Sequence, residues 1–180
     1  MLSLALLLFA HFLFLRRLGW SRGNALFSTG ILASFAAIFR IYVLAEIDGL
    51  FTTLTALAMY LGCLSVLEEN KFLPAIAAWF FAALAFLVKG PPVLLFFTGG
   101  LLVFALLALK GTAKKWKLFK PLFLAHTAGL LLCVLIVGLW ASLVIAELGK
   151  ERVMDHFNYQ VVKRITGEAK AHAGRNRGPL

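Results

Sequence analysis

Charged residues in this chain fall in short islands. The stretches between them, 1–15, 23–39, 49–67, 72–88, 90–109 and 121–146, carry no charge and are dominated by Leu, Phe, Ala and Val. A helix that crosses the hydrocarbon core of a bilayer needs roughly 17–25 apolar residues, so each run is close to one span and the first is short. Membrane β-strands are about 9–11 residues of alternating polarity. These runs are solidly apolar and predict helices. Met1 to Leu15 is not read as a signal peptide, because Arg16-Arg17 follow it rather than precede it and no small-residue cleavage site is visible. Beyond Glu147 the chain turns polar. There Val153, Met154, Phe157 and Val161 recur at i, i+1, i+4 and i+8, which predicts an amphipathic helix over 151–164 lying in the headgroup region. The expected fold class is all-α integral membrane, with about six transmembrane helices plus an outer-face amphipathic helix. Residues 1–146 would form a transmembrane bundle, part of a larger transmembrane domain, and 147–180 the outer-face helix and loop.

Composition agrees with that pattern. Of 180 residues, 62% are hydrophobic and 14% charged, and the mean hydropathy is +0.91. Soluble domains run near 45–50% apolar and about 25% charged, so this chain lacks the polar surface a water-soluble globule requires. It is also too rich in Phe, Leu and Ala to be disordered. Cys63 and Cys133 both lie in apolar runs, which excludes a disulfide framework and a CxxC metal site. In such a chain a net charge of +10 points to cytosolic loops and to anionic lipid or phosphate partners, not to nucleic acid.

Orientation follows from the islands. Arg16, Arg17 and Arg22 separate the first two runs, and Lys110, Lys114, Lys115, Lys117 and Lys120 separate the last two. Four crossings lie between these loops, so they share a side, and the positive-inside rule makes it cytoplasmic. The nearly neutral Glu68-Glu69-Asn70-Lys71 turn shares it. The opposite face then receives the Ala45–Gly49 turn, the Lys89-Gly90-Pro91-Pro92 turn and the tail. Seven Lys/Arg in that tail oppose the assignment. The short loop clusters flanking the spans outweigh them, since the rule is strongest there.

Few polar residues could carry chemistry. Asp48 reads first as a helix N-cap for the run starting at Leu50. It reads second as a rim carboxylate of the sort that marks a site at membrane depth. Glu46 would be a solvated rim residue. Arg40, about two turns earlier, either snorkels to the interface or faces inward toward an anion. The Gly-Pro-Pro turn is dictated by its residues, but a turn does not require Lys89. A lysine beside free helix N–H groups opposes the dipole unless an anion is present, a pointer to phosphate. The polar loop 167–179 offers further Arg and Lys to phosphate. His11, His126, His156 and His172 show no HxxxH or HExxH spacing, and no P-loop, GxGxxG or GxSxG occurs.

The order of these pieces resembles a known family. Arg40-Ile41-Tyr42-Val43-Leu44-Ala45-Glu46-Ile47-Asp48 is similar to a rim segment ending in aspartate. Phe86-Leu87-Val88-Lys89-Gly90-Pro91 is similar to an L-x-K-G-P turn, and His156-Phe157 through Arg164 to His172 is similar to an F…R…H outer loop. The family is the polyprenyl-phosphate-sugar-dependent glycosyltransferases with the C-type glycosyltransferase fold. It includes the protein O-mannosyltransferases and the aminoarabinose transferases of lipid A. The resemblance runs over roughly residues 24–180. It implies an enzyme of the plasma or cell inner membrane, multi-pass, that moves a sugar from a lipid-phosphate carrier to a lipid A-type or protein acceptor on the outer face. It further implies that Asp48 is a catalytic, active-site carboxylate, with the general base either here or in a region preceding this chain, that Lys89 and Arg164 bind the carrier phosphate, and that Arg40 and His172 line the cavity. No cofactor is called for, a divalent metal being left open.

The chain departs from the family at both ends. The family's principal acidic pair lies in an outer loop after its first helix, and this chain opens in apolar sequence without one. It ends at Gly178-Pro179-Leu180, where the family continues into further helices. An internal fragment, inactive alone, is therefore expected. Two other classes are a multi-span transporter subunit and a non-catalytic membrane scaffold. A transporter predicts Gly/Pro breaks at mid-span, whereas the break here lies at a rim. A scaffold predicts that Asp48, Lys89 and Arg164 do not converge.

Overall fold

The computed structural model describes residues 2–35, 46–68, 71–109 and 115–158, and among these it is helical with short connections and no strand. The helices are α1 (Leu2–Arg17), α2 (Arg22–Ser34), α3 (Glu46–Leu67), α4 (Phe72–Lys89), α5 (Pro92–Leu109), α6 (Lys115–Leu148) and α7 (Lys150–Phe157). Every apolar run thus holds a helix. Among the described residues three segments are long and apolar enough to cross a membrane, Ile47–Leu67, Phe72–Lys89 and Lys120–Leu148, while Pro92–Ala108 is apolar but shorter.

Two helix limits differ from the runs that predict them. Within the run 23–39, α2 ends at Ser34, where Phe35 turns extended, and residues 36–39 lie outside the described residues. Ser34 Oγ donates to the Ile31 carbonyl at 2.8 Å in this last turn. Conversely, α6 begins at Lys115, six residues before the run that opens at Pro121. Proline suits a first helical turn, yet here the helix carries it internally.

The chain divides into two compact units, Met1–Val137 and Gly138–Leu180. In the first, α3 is central and packs against α1, α4 and α5. Small residues make this possible. Ala75, Ala78, Ala82 and Ala85 are fully buried along α4, and Ala58 is fully buried on α3. Stripes of this kind let apolar helices approach closely where no hydrophobic drive separates helix from solvent. Trp79, Phe97, Val93, Leu54 and Cys133 fill the core around them. A Cβ added at Gly62 would stand 3.0 Å from the Phe97 ring, which shows how closely α3 and α5 are drawn together. The described part of the second unit is the end of α6 and α7. As predicted, α7 is amphipathic, and its described extent is Lys150–Phe157. Asn158 caps it, and residues 159–164 of the predicted segment lie outside the described residues.

Apolar side chains cover much of the surface. Leu95, Leu102, Leu106 and Leu107 on α5 and Leu124, Leu131, Val134 and Leu135 on α6 are all more than half exposed. So many large apolar side chains left exposed along two helices fit a lipid-facing surface. Polar groups inside are satisfied locally. The Thr52, Thr53 and Thr55 hydroxyls donate to the carbonyls four residues back, at 2.7, 3.0 and 2.8 Å. Thr53 Oγ1 also lies 3.0 Å from the Ser3 carbonyl, joining α1 to α3.

Candidate functional site

Two of the predicted site residues meet. Asp48, in the first turn of α3, accepts a hydrogen bond and ion pair from Lys89 Nζ at the last residue of α4. Asp48 lies two residues inside the helix, so the N-cap reading is corrected. As a first-turn carboxylate it still complements the dipole of α3, and Lys89 in the last turn complements that of α4. The anion facing Lys89 is therefore a carboxylate of this chain, which already answers the electrostatic pointer to phosphate. Gly90 makes the turn possible. Its φ is 80° and ψ −152°, a region essentially reserved for glycine, and its N–H closes the helix on the Phe86 carbonyl at 2.6 Å. Pro92 then opens α5.

The pair is nearly half exposed, at 46% for Lys89 and 45% for Asp48. Beneath it, Lys89 Nζ stands 5.6 Å from the centroid of the Phe51 ring, within cation–π range. Phe51 also walls a groove of about 390 Å³ that continues past Thr55 and Met59 on α3 to Phe96 and Phe97 on α5. An opposed pair of charges thus stands over a ring that also walls a mostly apolar groove. Sequence reasoning missed Phe51. The signal was present, because Phe51 follows Asp48 by three positions and so shares its helix face.

Arg40, Arg164 and His172, the other predicted site residues, lie outside the described residues.

A second polar constellation links α3, α4 and α6. Trp79 Nε1 donates to His126 Nδ1 at 3.1 Å, and His126 Nε2 lies 2.9 Å from Ser65 Oγ. Ser65 Oγ donates to the Gly62 carbonyl at 2.6 Å. An indole N–H can only donate, so Nδ1 is the accepting nitrogen and Nε2 carries the proton. Nε2 therefore donates to Ser65 and cannot take its proton. The Ser–His contact resembles a nucleophile–base pair, but its polarity is the reverse of what a base needs. It is a structural tie. His11 makes a similar tie among α1, α2 and α3, with Nδ1 2.9 Å from Tyr60 Oη and Nε2 3.4 Å from Ser28 Oγ.

Lys71, just before α4, is buried, and its ammonium donates to the Val66 and Glu68 carbonyls at 3.0 Å each. It thereby closes the C-terminus of α3, where unpaired carbonyls and the negative dipole end attract a cation. Burial pushes its pKa below the ordinary lysine value.

No protein-family model matches this chain, and no curated protein and no solved structure matches it either, so the likeness to the polyprenyl-phosphate-dependent glycosyltransferases rests on the quoted residues alone.

Proposed function

We propose that this chain is a membrane-embedded part of a glycosyltransferase that moves a sugar from a polyprenyl-phosphate carrier to a lipid A-type or protein acceptor. The observation that carries the reading is the half-exposed Asp48–Lys89 pair standing over Phe51, which also walls the mostly apolar groove. A lipid-phosphate sugar is an amphiphile with its anionic linkage at one end. Its phosphate suits Lys89, and its isoprenoid chain suits the wall of Phe51, Met59 and Phe97. As a staple alone, an ion pair this exposed contributes only about 0–1 kcal/mol, so stability gives little reason for two charges at this place.

In this reading six helices cross a plasma or cell inner membrane. The α1–α2 and α5–α6 connections face the cytoplasm, and Asp48, Lys89 and the tail face outward. The acceptor hydroxyl oxygen attacks the anomeric carbon while the bond from that carbon to the carrier phosphate breaks. The phosphate departs with the lipid and both bonding electrons. Lys89 exchanges Asp48 for the carrier phosphate, and the released Asp48 takes the acceptor proton. Arg164 adds a second cation to the phosphate, and Arg40 and His172 line the cavity.

A charge swap in the full-length membrane protein tests this. Lys89→Ala and Asp48→Asn should each lower sugar transfer by roughly a hundredfold, since lost transition-state contacts of this type cost about 2–4 kcal/mol. The double variant Asp48→Lys/Lys89→Asp restores an ion pair with both charges against the helix dipoles, and should not regain transfer. Transfer near the wild-type rate in the single variants, or its return in the swap, would leave the pair a staple and favour the scaffold reading.

A further inference from the structure

A second groove, of about 330 Å³, lies between α1, α3 and α4 near the opposite end of α3. Its walls include Leu13 and Phe14 of α1, Tyr60 and Leu64 of α3 and Phe81 of α4, and Arg17 closes one end. The Phe14 and Tyr60 rings stack at 4.6 Å with 13° between their planes and form a flat, apolar wall. From Ala10 to Arg17 the α1 side extends about 10 Å. An occupant that fills it is apolar along its body and meets the Arg17–Glu68 pair at one end.

The cation at that end is available. Arg17 Nη1 makes a 3.3 Å contact with Glu68 Oε1, and its side chain remains 70% exposed. That contact engages one of the five N–H donors of a guanidinium. Its neighbour Arg16 lies outside the groove lining, and its Nη1 donates to the Trp20 carbonyl at 2.5 Å and braces the turn into α2. Trp20 is exposed and Arg22 opens α2 beside it. An aromatic residue among arginines is the composition of a headgroup layer, and anionic lipids concentrate on the cytoplasmic leaflet, where such basic turns reside.

We propose that this groove is a binding site for one anionic phospholipid, whose phosphate is held by Arg17 and whose acyl chain lies between α1 and α3 over Phe14 and Tyr60. The site is separate from the Asp48–Lys89 pair and does not depend on the function proposed for it. A forked guanidinium pairs with two phosphate oxygens. A zwitterionic lipid also presents a phosphate but carries a compensating cation, so charge selects against it.

Native mass spectrometry of the detergent-solubilised full chain, with dioleoylphosphatidylglycerol or dioleoylphosphatidylcholine added, tests the proposal. The wild type should bind the first lipid about fivefold more tightly, the scale set by one arginine at an anionic surface. Arg17→Gln should abolish that preference. Leu13→Trp, which fills the groove from its exposed rim, should weaken both lipids with every charge retained. Lys120→Gln, which removes an exposed lysine outside the groove, should change binding by less than about twofold. Inorganic phosphate should not compete. An equal loss in Arg17→Gln and Lys120→Gln would reduce the effect to general surface charge and overturn the proposal. Unchanged lipid binding in Leu13→Trp would also overturn it, and a shifted monomer–dimer balance in that variant would assign the groove to a second copy. Should Arg17→Gln fail to fold, Leu13→Trp decides.

Discussion

Gly129→Ala sets two effects of opposite sign against each other. In an isolated helix the change favours helix by about 0.8–1 kcal/mol. In this fold a Cβ at position 129 would stand 2.3 Å from Trp79 Cδ1, 2.8 Å from Cγ and 3.0 Å from Cβ. Carbon atoms in contact lie about 3.5–4.0 Å apart, so the overlap falls on the root of the indole, not on a flexible tip. Trp79 cannot yield cheaply. Its N–H is bonded to His126 at 3.1 Å, and its ring stands edge-on to Phe97 at a centroid distance of 5.0 Å. Moving it forfeits an aromatic pair of about 0.5–1.5 kcal/mol. It also leaves a buried donor and acceptor apart, at about 1–3 kcal/mol. The sum, about 1.5–4.5 kcal/mol, exceeds the propensity gain, and net destabilisation of about 0.5–3.5 kcal/mol is expected. Cys63 and Cys133 are buried at 5% and 4% exposure and serve as native reporters. A thiol-reactive fluorophore followed through a thermal ramp in detergent should show a midpoint roughly 3–10 °C below wild type. Gly138→Ala on the same helix, where an added Cβ meets nothing within 4 Å, should melt at or slightly above wild type. If Gly129→Ala melts no lower than Gly138→Ala, the packing of α6 on Trp79 is wrong.

Three further outcomes are expected. Lys71 has a lowered pKa in the folded state, so the unfolded chain binds more protons between that pKa and the unfolded value near 10.4. Stability should therefore rise with pH through that window and fall as pH drops back, and Lys71→Met should remove the dependence in melts recorded across alkaline pH. Gly90→Ala places a Cβ in a glycine-only conformation and should cost about 1–3 kcal/mol, read as a lowered melting midpoint, whereas Gly23→Ala, with nothing within 4 Å of the added Cβ, should not. For the proposed topology, cysteines introduced at Thr112 and Ala173 should react with an impermeant maleimide from opposite sides of the membrane, and labelling of both from one side refutes it.

Much of the secondary structure was legible in the chain because solvation decides it. Long uncharged runs must satisfy their own backbone, which leaves helices, and each run holds one. The turn at Lys89-Gly90-Pro91-Pro92 was equally legible, since glycine and proline restrict backbone angles locally. Sequence parity also set Asp48 and Lys89 on one face, although 41 positions separate them. Contacts across helices were not legible, because they depend on rotation about each helix axis and on crossing geometry, which an apolar run nearly uniform around its circumference does not specify. Thus only the tertiary structure pairs Asp48 with Lys89 over Phe51, directs the Trp79 N–H to His126 and so denies it to Ser65 as a base, and turns Lys71 from a loop lysine into the cap of α3. It alone sets Arg17 at the end of a groove between α1, α3 and α4, because that groove is made by three segments far apart in the chain and by the small side chains that let them approach.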